Sequence, residues 1–137
     1  MFFPGAIDMI RALAERELRL GICTNKPEKI ARAILQKVEL LPMFGAIIGG
    51  DSGFGLKPSP APLYAALQRL KVTSPQTVFV GDSAIDNEAA FTAKVPFARV
   101  RHPGYPTPST PFEPAYKLGE LSELAAIVDG RNKVAAP

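Results

Sequence analysis

The sequence has 137 residues, of which 47% are hydrophobic and 21% are charged, and its formal net charge is +3. This length suits one ordinary domain, and the composition excludes the polar, highly charged class of disordered chains. Lysines and arginines are spread along the chain without a run of five, so the positive charge indicates a solvated surface and no nucleic acid partner. A small anionic substrate would suit this charge equally well.

The start of the chain, MFFPGAIDMIRALAER, is interrupted by Pro4, Gly5 and Asp8, so it lacks the continuous apolar core of a signal peptide. No window approaches the roughly 18 apolar residues of a membrane span. The single Cys23 lies in an apolar run and has no internal disulfide partner, so we predict a small buried hydrophobe and not a nucleophile. We therefore expect no membrane association and a cytoplasmic location.

Hydrophobic periodicity predicts alternating helices and strands. Helical spacing follows Pro4, the run LRLGICT predicts a strand ending near Thr24, and KPEKIARAILQKV predicts the next helix. The remaining predicted elements, in order, are the strand FGAIIGG, the helix APLYAALQRLKV, the strand TVFVGD, the helix AIDNEAAFTAK, the strand PFARV and the helix LGELSELAAIVDG. This order indicates an α/β domain, a three-layer Rossmann-like parallel sheet with helices on both faces, over residues 1–130.

Polar residues follow three of the predicted strands. The first is followed by Thr24, Asn25 and Lys26, the second by Asp51, Ser52 and Lys57, and the third by Asp82, Ser83 and Asp86. Ligands of open parallel sheets bind at the carboxyl ends of the strands, so we expect these side chains to share one site.

Taken singly, these residues have structural explanations. Thr24 or Asn25 could cap the helix after Pro27, Asp82 or Ser83 could cap the next one, and Lys57 could be a solvated cation. Taken together, a hydroxyl and amides at a helix N-terminus, an ammonium and two carboxylates suit phosphate beside a hard cation. Mg²⁺ is usually held by one or two carboxylates with substrate phosphate, so the sequence predicts phosphoryl chemistry.

Three segments, CTNKP, GGDSGFGLKPSPAPL and VFVGDSAIDNEAA, resemble the second, third and fourth motifs of the haloacid dehalogenase-like phosphatases. The amino-acid sequence of the middle segment is most similar to the phosphoglycolate phosphatase branch of the family. The resemblance starts at FFPGAIDMIRAL and extends to the last predicted helix. It implies a magnesium-dependent phosphatase that hydrolyses a small, phosphoglycolate-like phosphate monoester.

The resemblance also implies roles for individual residues. Thr24 and Asn25 would donate to phosphate oxygens, and Lys57 would steady the nucleophile and the transferring phosphoryl group. Asp82 would bind Mg²⁺, with Asp86 supporting it directly or through water. Ser52 would line the substrate site, and no firm role follows for Asp51.

The family's first motif, DxDxT, which supplies the aspartyl nucleophile and a general acid and base, is absent here. Asp8 is a poor substitute because its surroundings are helical. In the family this motif ends a central strand, between the strands that here end at Thr24 and Asp82. We therefore expect a core without its first strand and without a cap, with an uncovered slot that could support a homodimer. We also expect negligible phosphatase activity from this chain alone.

Two alternative functions are also compatible with the sequence. One is a catalytically inactive fragment or degenerate phosphatase that acts as a dimerising or interaction module. The other is a receiver-type phosphoacceptor domain, although receivers carry their acidic pair before the threonine and the lysine, the reverse of the order here.

Three further features are predicted to be ordinary surface or terminal segments. His102 is expected to be a solvated loop histidine, and the proline-rich segment 103–114 a rigid surface loop, with an SH3-type ligand as the weaker alternative. Residues 131–137 are expected to form a flexible tail.

Overall fold

The computed structural model describes residues 5–101, 110–128 and 133–136. Five α-helices lie in these ranges: α1 (Ala6–Glu15), α2 (Glu28–Lys37), α3 (Ala61–Leu70), α4 (Ala84–Ala93) and α5 (Leu124–Val128). Six strands lie there as well: β1 (Arg19–Cys23), β2 (Phe44–Ile48), β3 (Phe79–Gly81), β4 (Phe97–Val100), β5 (Tyr116–Leu118) and β6 (Lys133–Ala136). Short 3-10 turns occupy Leu41–Met43, Ser74–Gln76 and Leu121–Glu123.

The six strands form one sheet in the order β2-β1-β6-β3-β4-β5, and every neighbouring pair is parallel. The predicted α/β class with a parallel sheet is therefore confirmed. The four predicted strands are β1 to β4, whereas β5 and β6 were not predicted. Both missed strands are short, at three and four residues, so neither offers a periodic pattern long enough to recognise.

Helices cover both faces because successive residues of each strand point to opposite sides. On one face, Leu20 and Ile22 of β1 and Val80 of β3 pack with apolar residues of α1, α2 and α5. On the other face, Cys23 and Phe79 pack with α3 and α4. This arrangement explains the continuous hydrophobic runs of the sequence, because these strands bury apolar residues on both of their faces.

The centre of the sheet corrects two predictions. Strand β6 lies between β1 and β3, where the sequence predicted an uncovered slot. It pairs with β1 from Arg19–Lys133 to Ile22–Ala136, and with β3 at Phe79–Ala135. Residues 133–136 therefore form a central strand and not a flexible tail, because the open edges of β1 and β3 supply hydrogen-bonding partners to a short segment that has little strand signal of its own.

Several predicted features fall on residues outside the described ranges. These are His102, most of the proline-rich segment at 103–109, Gly130, and residues 131, 132 and 137 of the predicted tail. None of the helices in the described ranges has the length and apolar character that a membrane crossing requires.

Candidate active site

A buried lysine from the loop after β2 meets a buried aspartate from α4 at the carboxyl ends of β1 and β3. Lys57 is 7% exposed and Asp86 is 4% exposed. The Lys57 Nζ donates to Asp86 Oδ1 at 2.5 Å and to the backbone oxygen of Cys23 at 2.9 Å. It also lies 5.3 Å from the centre of the Phe79 ring. A charge this far from water needs such partners, so the ammonium has one fixed position.

Asp86 reaches Lys57 from the first turn of α4, where it is part of a capping box. The Ser83 hydroxyl donates to Asp86 Oδ2 at 2.8 Å, and Ser83 Oγ accepts from the Asp86 backbone N–H at 3.3 Å. Gly81 permits this approach, since a Cβ there would lie 2.7 Å from Asp86 Oδ2. The three-residue spacing of Ser83 and Asp86 in GDSAID therefore caps the start of α4 and also positions Asp86 for the ion pair with Lys57.

Asp82 follows β3 directly and is half-buried. Within the described residues its carboxylate makes no hydrogen bond or ion pair, in contrast to Asp86. No group of three or more His, Cys, Asp or Glu side chains within those residues could by itself hold a metal ion. One free carboxylate nevertheless fits Mg²⁺, which takes one or two from the protein and fills its shell with water and phosphate. The metal roles of Asp82 and Asp86 stay predictions.

Asn25, two residues after β1, faces the backbone of Lys57. Its Nδ2 donates to the Lys57 oxygen at 3.1 Å, and its Oδ1 accepts from the Lys57 N–H at 2.9 Å. The neighbouring Thr24 Oγ1 accepts from the Lys26 N–H at 3.2 Å. The structure thus brings Asn25 and Lys57 together, with Thr24 next to Asn25 in the chain, and the phosphate-binding roles of all three stay predictions.

The loop after β2 packs on the start of α2. Asp51 Oδ1 accepts from the Glu28 N–H at 2.8 Å, so Asp51 caps α2 from a different part of the chain. Ser52 Oγ accepts from the Gly49 N–H at 2.8 Å and donates to Glu28 Oε1 at 2.7 Å. Gly50 is required here because a Cβ would collide with the backbone oxygen of Asn25. These contacts give Asp51 a structural role, and the substrate-binding role of Ser52 stays a prediction.

Two contributors to this site carried no usable sequence signal. In the sequence, Glu28 is an ordinary acidic residue of the first turn of α2. Its contact with Ser52 depends on how the loop after β2 packs on α2. The Cys23 backbone oxygen is an acceptor for Lys57 that no side-chain pattern reveals. The predicted burial of Cys23 is confirmed, and this burial raises the pKa of its thiol to about 11 despite the nearby Lys57 ammonium.

Hydrogen bonds lower the pKa of Glu28, the largest cause being the Ser52 hydroxyl, followed by Arg32, whose Nε lies 2.8 Å from Glu28 Oε2. A lowered pKa in the folded state stabilises the fold above the unfolded-state pKa, and this contribution is lost as pH falls through the folded-state value. We expect Ser52→Ala to raise the pKa of Glu28 towards its ordinary value. Carboxyl-carbon NMR titration measures this change.

Glu113 is the internal control for that titration. Its pKa is lowered mainly by a hydrogen bond from Lys117, at the other end of the sheet. Ser52→Ala should leave the titration of Glu113 unchanged. An unchanged pKa of Glu28 in the same variant would contradict the assigned hydrogen bond.

The family follows from comparison with known proteins. The model of the haloacid dehalogenase-like hydrolases matches residues 1–100, and the chain therefore belongs to this family. Within the family it is close in sequence to phosphoglycolate phosphatases. It is 42% identical to the phosphoglycolate phosphatase of Rhodospirillum rubrum over 120 residues, which are 88% of this chain and 47% of that one. For the Salmonella paratyphi A enzyme the values are 39% over 133 residues, 95% of this chain and 48% of that one.

Solved structures show the same fold. A phosphatase of this family from Thermococcus onnurineus superposes with a TM-score of 0.83 at 27% identity, over 96% of this chain and 60% of that one. A predicted phosphoglycolate phosphatase from Haemophilus somnus gives 0.82 at 26% identity, over 94% of this chain and 58% of that one. The chain spans about half the length of the curated relatives it matches.

Proposed function

We propose that this chain is the core portion of a magnesium-dependent phosphatase that hydrolyses a small phosphate monoester of the phosphoglycolate type. The observation that carries the proposal is the buried Lys57 ammonium, fixed by Asp86 and the Cys23 oxygen. Asp82 follows β3 directly, and its carboxylate has no hydrogen bond or ion pair among the described residues. A fixed cation and an available carboxylate at the ends of parallel strands suit a bound phosphate and Mg²⁺. The relatives named phosphoglycolate phosphatase support the substrate class.

Each residue has a role in this proposal. Lys57 offsets the charge that develops on the transferring phosphoryl group, and the Thr24 hydroxyl orients a phosphate oxygen. Asp82 would hold Mg²⁺, which supplies further charge neutralisation when bound. The family resemblance supports attack by an aspartate carboxylate that forms an aspartyl-phosphate. No DxDxT motif occurs in the sequence, so we propose that this carboxylate comes from outside these 137 residues.

The other readings fare differently. Membership in the hydrolase family argues against a receiver domain. The interaction module relied on a free slot, and β6 occupies that slot, so dimerisation through it requires β6 to leave.

The buried Cys23, a free thiol, suits a reducing compartment, in line with the proposed cytoplasmic location.

Phosphate release from 2-phosphoglycolate and from an aryl phosphate, with and without Mg²⁺, tests the proposal. The chain is compared with a version extended upstream by a DxDxT strand and a cap. We expect turnover only from the extended version, because loss of a nucleophile costs on the order of a millionfold. Equal magnesium-dependent turnover by the short chain would refute the external nucleophile.

In the extended version, Asp82→Asn should lower turnover roughly 10²- to 10³-fold, since metal stabilisation of the transition state is worth several kcal/mol. The matched control is Glu88→Gln, the same loss of charge at an exposed position of α4. Full activity of Asp82→Asn would exclude Asp82 as the metal ligand.

A further inference from the structure

The side chain of Asn25 is bonded at both ends to one residue, Lys57, which lies 32 positions later in the chain. The Lys57 N–H can only donate and its carbonyl can only accept. The carboxamide orientation is therefore fixed, with Oδ1 towards the N–H and Nδ2 towards the carbonyl. No other residue within the described ranges holds the Lys57 backbone in this way.

Besides Asn25, the backbone next to Lys57 is held by a turn in which the Ser59 N–H donates to the Leu56 oxygen at 3.0 Å. It lies in residues 49–60, between β2 and α3, a stretch without helix or strand. Its neighbours Leu56 and Pro58 are exposed, whereas the Lys57 side chain is buried. Asn25, in contrast, lies two residues after β1, a strand that pairs on both sides, with β2 and with β6. Asn25 therefore ties an irregular loop to the end of an interior strand.

We propose that Asn25 is a positioning residue for Lys57. Its carboxamide fixes the position of the Lys57 backbone relative to the end of β1, so that Nζ reaches both Asp86 and the Cys23 oxygen. This differs from the role that family resemblance suggested, in which Asn25 donates directly to phosphate. Only the phosphate-binding part of the inference rests on the proposed function; the effect on Lys57 stands on geometry alone.

The chemistry of the pair explains why asparagine suits this position. Aspartate has the same shape but no donor, and its charge would face the Lys57 carbonyl. Alanine would leave both backbone groups without their partner. We therefore expect Asn25→Asp to lose one bond and Asn25→Ala to lose both, so their effects on Lys57 should be graded.

The experiment uses the present chain with labelled lysine and a labelled backbone. We expect Asn25→Ala to speed hydrogen exchange of the Lys57 amide at least about tenfold and to shift the Lys57 Cε and Nζ resonances, with smaller changes in Asn25→Asp. The control is Thr77→Val, which removes a different hydrogen bond of a buried residue, from Thr77 Oγ1 to the Thr73 oxygen at 2.9 Å. Thr77→Val should lower stability and leave the Lys57 signals in place.

Inorganic phosphate, added with Mg²⁺, is the binding probe. We expect Asn25→Ala to weaken its binding about tenfold or more, the loss expected for one displaced charge-assisted hydrogen bond. Unchanged Lys57 exchange and resonances in Asn25→Ala, or equal changes in Thr77→Val, would overturn the positioning role. A wild-type chain that binds no phosphate would contradict the proposed function instead, and the lysine signals would still decide the inference.

Discussion

Deletion of residues 133–137 should convert the folded chain into a self-associating one. Without β6, the backbone groups of β1 and β3 that face each other across the sheet have no partners, and open strand edges pair with other chains. We expect a lower free energy of unfolding and concentration-dependent sedimentation, including a dimer that pairs through this slot. A deletion variant that stays monomeric and unfolds at the same urea concentration would contradict the central position of β6.

A single substitution tests the same strand without shortening the chain. Ala135 lies opposite both Gly21 of β1 and Phe79 of β3, and proline has no N–H to give to either neighbour. We expect Ala135→Pro to destabilise the fold by about 1–3 kcal/mol, the cost of a buried acceptor left without its donor. Ala135→Ser, which keeps the N–H and a small side chain, is the matched control. Equal unfolding curves for the two variants would contradict the pairing.

Lys57→Met should destabilise the fold by about 3–5 kcal/mol, the range for breaking a buried ion pair. Methionine keeps the length of the side chain and removes the charge, so the buried Asp86 carboxylate loses its cation. Urea unfolding followed by circular dichroism measures the change. The control is Lys117→Met at the exposed pair with Glu113, where water replaces the partner and we expect no measurable change.

A double variant separates the ion pair from other effects of Lys57. Asp86→Asn removes the opposite charge and keeps the shape that Ser83 contacts. We expect Lys57→Met with Asp86→Asn to cost less than the sum of the two single changes, by roughly 0.5–3 kcal/mol. Strict additivity would mean that Lys57 stabilises the fold mainly through its other partners, the Cys23 oxygen and the Phe79 ring.

Predictions from sequence were most accurate where one local pattern covered a whole element. The helical spacing of KPEKIARAILQKV became α2, and the run TVFVGD became β3. Asp82 or Ser83 was considered as the cap of the helix after β3, and the structure shows that Ser83 is the cap, with Asp86 three positions later. Asn25 and Lys57 were expected to share one site because the carboxyl ends of parallel strands share one edge of the sheet, and the two residues are hydrogen-bonded.

The sequence by itself determined the alternation of helices and strands, the parallel sheet and the choice of strand ends that carry polar side chains. Only the tertiary structure decided which partners those side chains take. Asp86 binds Lys57, whereas Asp82 has no side-chain partner in the part of the chain that the structure describes. Asp51 caps α2, and Asn25 holds the Lys57 backbone. The tertiary structure also decided that residues 133–136 lie at the centre of the sheet. The physical reason is that periodicity reports burial of neighbouring residues, whereas these contacts join segments far apart in the chain, whose distance and orientation depend on packing.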